Sequence, residues 1–259
     1  MNPHLAGIRI FPIKSLDPET LEEARVHGGA GLEHDREYQL VDEQGRTLNG
    51  KRAGEKLMRI RSHFSFIFGE ATLEDGESSI AARLPSKAAK LEAWLGERLA
   101  QTVKIERDAE RGFPDDVEAS GPTVISRATL VEVGGWFELG EDEARRRFRA
   151  NLEIDGVPAF WEDRLYRPDA SRRFTIGEVA FEGVNPCKRC AVPSHDSRTG
   201  GIPEPRFARL FAERRRETLP EWAPRERFDT FYRLSVNTRI PPSENGKALS
   251  LGDEVWIEE

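Results

Sequence analysis

Residues 5–14 alternate apolar with polar or small side chains and open a strand, which Pro12 must end or hold at a sheet edge. Similar runs predict strands at residues 37–42, 58–68, 71–74 and 103–106, punctuated by Gly45, Gly50, Gly69 and Gly76. One helical stripe interrupts them: Leu91, Trp94, Leu95 and Leu99 share a face, with Ser86 placed to cap the N-terminus. Residues 107–122, where Gly112, Pro114, Gly121 and Pro122 lie among acidic residues, mark a boundary or linker. Beyond it the spacing predicts a helix capped by Ser126 and running through Leu130 and Val133. A charged helix follows at Glu141–Phe148, and another over residues 204–217 after Pro203 and Pro205. Strands return at residues 174–184, 228–237 and 251–257. Many strands, few helices and no strand–helix–strand rhythm predict a mainly β (α+β) chain of closed or sandwiched antiparallel sheet. Two domains are expected, at residues 1–113 and 114–259.

The charge balance narrows the function classes. Charged residues make up 33% of the 259 residues and the net charge is -7, which suits a soluble protein and argues against nucleic acid as a partner. The arginine runs at residues 145–149 and 214–216 are flanked by Glu141, Asp142, Glu143, Glu213 and Glu217, so they read as solvated helix faces. No apolar stretch approaches a membrane span, and the N-terminus lacks a basic-then-apolar leader. A cytoplasmic protein with no membrane partner is therefore expected.

Both cysteines lie in Cys187-Lys188-Arg189-Cys190, so any thiol or soft-ligand chemistry has one location. It follows a strand pattern and so belongs at a strand end, where Lys188 and Arg189 favour a thiolate and attract an anion. Two cysteines are too few for an iron–sulfur cluster. Zinc would need ligands from His195 and more distant histidines, and a thioredoxin-type pair would need a βαβ context. Pro12-Ile13-Lys14-Ser15, Glu33-His34-Asp35-Arg36 and residues 147–152 likewise set cations or hydroxyls beside turns, an assortment suited to a phosphate-bearing heterocycle. His34 reads as a solvated or structural histidine, and Trp136, Trp161 and Trp222 as packing aromatics.

In this order, residues 12–16, Asp35-Arg36, residues 147–152, Phe160-Trp161-Glu162-Asp163, residues 187–190, residues 196–200 and residues 251–256 resemble the MOSC family. The likeness covers nearly the whole chain. It is closer still to members with an N-terminal β-barrel extension, such as the amidoxime-reducing component of mitochondria and its bacterial relatives. The resemblance implies an N-terminal MOSC-type β-barrel domain, a C-terminal MOSC β-barrel with a few helices, and the molybdenum cofactor (Mo-molybdopterin). It implies Cys190 as the metal ligand and catalytic centre. Lys14, Ser15, Arg36, Arg149 and Asn151 would contact the cofactor, with Lys188 and Arg189 adjoining the metal. Thr199 and Gly200 fall in a matched turn. Ala150, Lys188 and Asn49 stand where relatives have Pro, Ser and Thr, and Glu118 or Asp116 would be the acid near the metal.

The implied activity is reduction of N-hydroxylated small molecules by oxygen-atom transfer, with an external ferredoxin-like or cytochrome-like electron donor. A rim of Arg206, Arg209, Arg214 or Arg215 would suit an acidic donor. The alternative is a non-catalytic carrier of the cofactor or of sulfur. Family-level pyridoxal phosphate binding comes with the resemblance, without an assigned residue.

Overall fold

A computed structural model of the protein describes residues 2–50 and 52–258. In chain order its strands are β1 (His4–Ile10), β2 (Glu19–Leu21), β3 (Glu23–Arg25), β4 (Tyr38–Val41), β5 (Arg61–Ser65), β6 (Glu70–Glu74), β7 (Ser79–Arg83) and β8 (Lys104–Arg107). They continue as β9 (Val124–Ser126), β10 (Leu152–Asp155), β11 (Arg172–Ile176), β12 (Val179–Lys188), β13 (Arg233–Arg239), β14 (Ala248–Ser250) and β15 (Val255–Ile257). The helices are α1 (Gly54–Met58), α2 (Ala88–Leu99), α3 (Arg127–Gly135), α4 (Glu141–Phe148) and α5 (Phe207–Glu217). The chain is thus mainly β, as its alternation predicts. No helix among the described residues is long and apolar enough to cross a membrane.

One eight-stranded sheet runs β15-β11-β12-β13-β9-β10-β1-β2, so strands from both ends of the chain share it. β1 pairs antiparallel with β10, setting Leu5 against Ile154 and Ile8 against Leu152. These four residues are fully buried with Val124, Phe174, Phe181 and Val236 in the main core. A second core joins β4 to β8 and to α2, whose Leu91, Trp94, Leu95 and Leu99 all point inward. A third packs α3, α4 and α5 around Phe148, Phe207 and Phe211.

Three local expectations change. Residues 174–184 form a hairpin rather than one strand: Gly177, at φ +55°, begins a two-residue turn between Ile176 and Val179. The alternation survives because the turn returns Phe181 opposite Phe174, ring centroids 5.3 Å apart. Lys87, not Ser86, is the N-cap of α2, and it makes no side-chain cap bond. β9 and β10 are parallel, joined by α3 and α4, so the sheet contains one crossover that the antiparallel reading lacked. Ser126 does cap α3, its hydroxyl accepting from the Thr129 amide.

Candidate functional site

A cleft of about 1310 Å³ opens where the β1–α1 segment, the loop after β8, the end of α4 and the end of β12 meet. Twelve Lys or Arg residues and five Asp or Glu residues line it, a strongly cationic wall in a chain whose net charge is -7. Such a concave surface concentrates anions.

Lys14, Ser15, Arg36, Arg149, Lys188, Arg189 and Cys190 all line this cleft, although 176 positions separate the first from the last. Ser15, Arg36 and Arg149 share an unexpected backbone state, with φ of +75°, +55° and +52°. Non-glycine residues rarely adopt this left-handed region, at a cost of about 1 kcal/mol each, and strain of this kind concentrates at ligand sites. Arg149 is the left-handed C-cap of α4, its amide closing on the Arg145 carbonyl at 3.0 Å. Its guanidinium donates to the Leu16 carbonyl at 2.6 Å and lies 4.2 Å from the centroid of the Phe11 ring. Arg36 stands over the same ring at 5.3 Å and pairs with Asp35, which also accepts from the Phe11 amide. Two guanidiniums therefore share one aromatic platform. Desolvation, reinforced by the neighbouring Arg36 charge, lowers the Arg149 pKa to about 10. Among the described residues Arg149 has no ion-pair partner.

Asn151 corrects the expectation of a direct contact. It is fully buried and absent from the cleft wall. Its carboxamide donates to the Arg9 carbonyl at 3.0 Å and accepts from the Thr123 amide at 3.1 Å, with Arg36 at 3.5 Å. Its short hydrogen bonds lock β1 to the segment before β9.

The cysteine motif ends β12, as the strand pattern requires. Its two sulfurs differ in company. Arg189 Nη1 donates to Cys187 Sγ at 3.3 Å, and its Nη2 donates to the Phe148 carbonyl at 2.6 Å. Arg189 Nε is buried without a hydrogen-bond partner. Cys190 is half-buried on the cleft wall, with no hydrogen bond to its sulfur among the described residues, which leaves its lone pairs for a ligand. Lys188, 63% exposed, pairs with Asp229 at 3.5 Å.

Other site readings sort themselves. The His195 ring bonds to the Gly200 carbonyl at 2.6 Å, and no group of three or more His, Cys, Asp or Glu residues suited to a metal occurs among the described residues. Asp196 accepts from the Thr199 amide at 2.8 Å, which closes a turn; Gly200 has a φ of +73°, and a Cβ there would lie 2.6 Å from the Cα of Glu55, so both its backbone and its surroundings require glycine. His34 binds Glu37 at 2.6 Å and lies outside the large cleft. Asn49, Asp116 and Glu118 line the cleft, but Asp116 is already accepting from the Glu118 and Ala119 amides. Trp136, Trp161 and Trp222 do not line it.

Of the four rim arginines only Arg215 is corrected: it is 1% exposed, paired with Asp163 and packed on the Phe160 ring, while the other three lie on the surface. Arg206, Arg209 and Arg214 pair with Glu204, Glu213 and Glu217. Sequence reasoning missed Asp115, which meets Lys14 at 2.8 Å. It also missed Arg147, which is 3% exposed and ties α4 to Asp196. A charge run on a helix gives no sign of which arginine turns inward.

The family model described as the MOSC N-terminal beta barrel domain matches residues 2–117, and that described as the MOSC domain matches residues 123–256. Relatives include proteins named molybdenum cofactor sulfurase. That of Drosophila ananassae is 27% identical over 100% of this chain and 35% of its own length. That of Drosophila melanogaster is 28% identical over 77% of this chain and 29% of its own. The chain thus spans about a third of the length of these relatives. Among solved structures, the YuaD protein from Bacillus subtilis is similar over 99% of this chain and 96% of that one, at 12% identity and a TM-score of 0.43. A hypothetical protein matches at 12% identity and a TM-score of 0.45, over 99% of this chain and 68% of its own. With the two family models together spanning nearly all of its residues, the chain belongs to the MOSC family and carries that family's N-terminal β-barrel domain ahead of its MOSC domain.

Proposed function

We propose that the cleft binds the molybdenum cofactor and that the protein reduces N-hydroxylated small molecules with electrons supplied by a separate protein. The observation that carries this reading is the Arg36–Arg149 pair over Phe11, held on left-handed backbone in a cleft that also presents Cys190. The residues fit the group. A phosphate beside Arg149 would supply the counter-charge that it lacks, and the unpartnered Arg189 Nε is a donor in want of an acceptor. Cys190 offers a soft thiolate ligand. At about 1310 Å³ the cleft exceeds an ordinary small-molecule pocket, leaving room for a pterin and a substrate.

When bound, the molybdenum centre supplies oxygen-atom transfer, so that N–OH, two electrons and two protons become N–H and water. The chain's own residues bind, orient and protonate. Lys14, Arg36 and Arg149 hold the phosphate, and Ser15 adds a hydroxyl. Of the two acids carried over from the resemblance, Glu118 is the proposed proton donor, since the Asp116 carboxylate is engaged by backbone amides. Cytoplasmic location belongs to the same proposal.

Arg149→Ala should weaken cofactor retention by about 10- to 100-fold, the loss expected when a charge-assisted bond worth about 1.5–3 kcal/mol is removed. Thermal melting should stay near wild type. Unchanged pterin content after dilution would remove Arg149 from the site.

Electron supply gives a separate prediction. The two cysteines cannot build a cluster, and no strand-linked Gly-x-Gly-x-x-Gly provides a nucleotide turn. Reduced viologen should drive anaerobic reduction of benzamidoxime by the pure protein, whereas NADH should do so only after a redox partner is added. Turnover with NADH alone would refute the external-donor argument.

A second reading, a carrier of the cofactor or of sulfur for its maturation, is favoured by the relatives named molybdenum cofactor sulfurase. Molybdenum and pterin stoichiometry, measured with viologen-driven turnover on one preparation, separates the two. A carrier holds cofactor without turning over.

A further inference from the structure

The loop after β8 is fastened at both ends by backbone hydrogen bonds. At its start the Phe113 amide donates to the Arg36 carbonyl at 2.9 Å, and at its end the Gly121 amide donates to the Thr238 carbonyl at 2.9 Å. Between these anchors, residues 114–119 overhang the cleft, and Val117 is 83% exposed. One side chain ties the overhang to the opposite wall. Lys14 Nζ donates to the Pro114 carbonyl at 3.3 Å and meets Asp115 Oδ1 at 2.8 Å.

The Asp115 side chain, 82% exposed at the cleft, thereby contacts Lys14, one of the three cations assigned above to the phosphate; Arg36 and Arg149 line the same cleft. Although crowding by the cleft opposes its ionisation, the charges of Lys14, Arg36 and Arg149 together hold its carboxyl below the usual carboxylate range. Reciprocally, Asp115 is among the few charges that favour the cationic form of Arg149. Asp35 is already engaged by Arg36 and by the Phe11 amide, so it is not available for the same task.

We propose that Asp115 is a specificity-determining residue: a tethered carboxylate that holds Lys14 of the Lys14–Arg36–Arg149 subsite until a more highly charged phosphate monoester displaces it. The proposal rests on the reading of that cluster as the phosphate subsite and adds the competitor. A singly charged ligand, such as a free carboxylate, gains little by replacing one carboxylate with another. A phosphate dianion with three acceptor oxygens gains charge and bonds to all three cations. Displacement frees residues 114–119 from Lys14, so ligand binding and loop release are the same event.

Inorganic phosphate is the probe, titrated into the ligand-free protein by calorimetry at low ionic strength. Asp115→Asn should bind phosphate about fivefold more tightly than wild type, as expected when a nearby like charge worth up to about 1 kcal/mol is removed. Asp142→Asn removes the same charge from another part of the cleft wall and should change affinity by less than about twofold. Phosphate should also speed hydrogen exchange of the amides of residues 115–119 in wild type, whereas in Asp115→Asn that exchange should be fast from the start. Equal gains in both variants, no gain in Asp115→Asn, slower exchange with phosphate, or no phosphate binding by any form would each overturn the proposal. A protein that purifies without molybdenum yet shows the phosphate results would instead count against the cofactor reading alone.

Discussion

Replacing Cys190 with serine is expected to remove nearly all bound molybdenum and all viologen-driven N–O reduction, while the melting temperature stays within a few degrees of wild type. Cysteine binds such a metal as a soft thiolate ligand, whereas a serine hydroxyl is a hard donor and binds it far more weakly. The proposal takes Cys190 rather than Cys187 as the ligand, and the company of the two sulfurs supports that choice. Cys187 Sγ accepts from Arg189 at 3.3 Å, whereas the Cys190 sulfur has no such partner among the described residues. Binding a metal at Cys190 therefore displaces no protein contact. The fold should tolerate the change, because Cys190 is half-buried at the end of a strand and outside all three cores. Metal analysis, pterin fluorescence and circular dichroism on the same preparations make the check. Cys187→Ser should keep its molybdenum. If Cys187→Ser loses the metal and Cys190→Ser keeps it, the ligand assignment is reversed.

How far the chain can be read depends on the range of the interaction that fixes each element. Glu141–Phe148 matches α4 residue for residue, because its acidic first turn and basic last turn both favour a helix locally. β2, β3, β9 and β14 have three residues each, too short for a period to show, and they exist because distant strands pair with them. The hairpin at Gly177 hid inside a longer run because a two-residue turn preserves the alternation. At the site, the order of motifs brought together Lys14, Ser15, Arg36, Arg149 and Cys190. It could not show that three of these positions are left-handed: at Arg36 that conformation goes with tertiary hydrogen bonds to Phe11 and Phe113, and at Arg149 with the C-cap that ends α4. Nor could it separate Asn151, spent on backbone groups, from residues that reach the cleft. Arg215 gave no local signal either, because its partner Asp163 is 52 positions away.

Glu162→Gln is expected to stabilise the protein by about 3 kcal/mol at pH 8 and by almost nothing at pH 4. Glu162 is 1% exposed in the core beneath α3, where desolvation, and then the neighbouring Asp163 charge, push its pKa up to about 7. One of its oxygens accepts from the Thr129 hydroxyl at 3.0 Å, while the other has no partner. Below about pH 4.5, the ordinary glutamate value, the carboxyl is protonated in both folded and unfolded chains and contributes no slope. Between 4.5 and 7 only the unfolded chain ionises, so each rise in pH favours unfolding. Above 7 both forms are charged, the loss is complete, and 2.5 pKa units correspond to about 3 kcal/mol. Glutamine keeps the acceptor for Thr129 and cannot ionise, so it removes this slope. Other groups titrate in overlapping windows. The Glu37 hydrogen bond raises the His34 pKa, so that contribution is full below 6.5 and fades as pH rises through the higher folded value. The difference between wild type and Glu162→Gln cancels such background. Urea midpoints for both proteins from pH 4 to 8 therefore isolate Glu162, and a difference that stays flat across that range would show that the buried carboxyl does not titrate there.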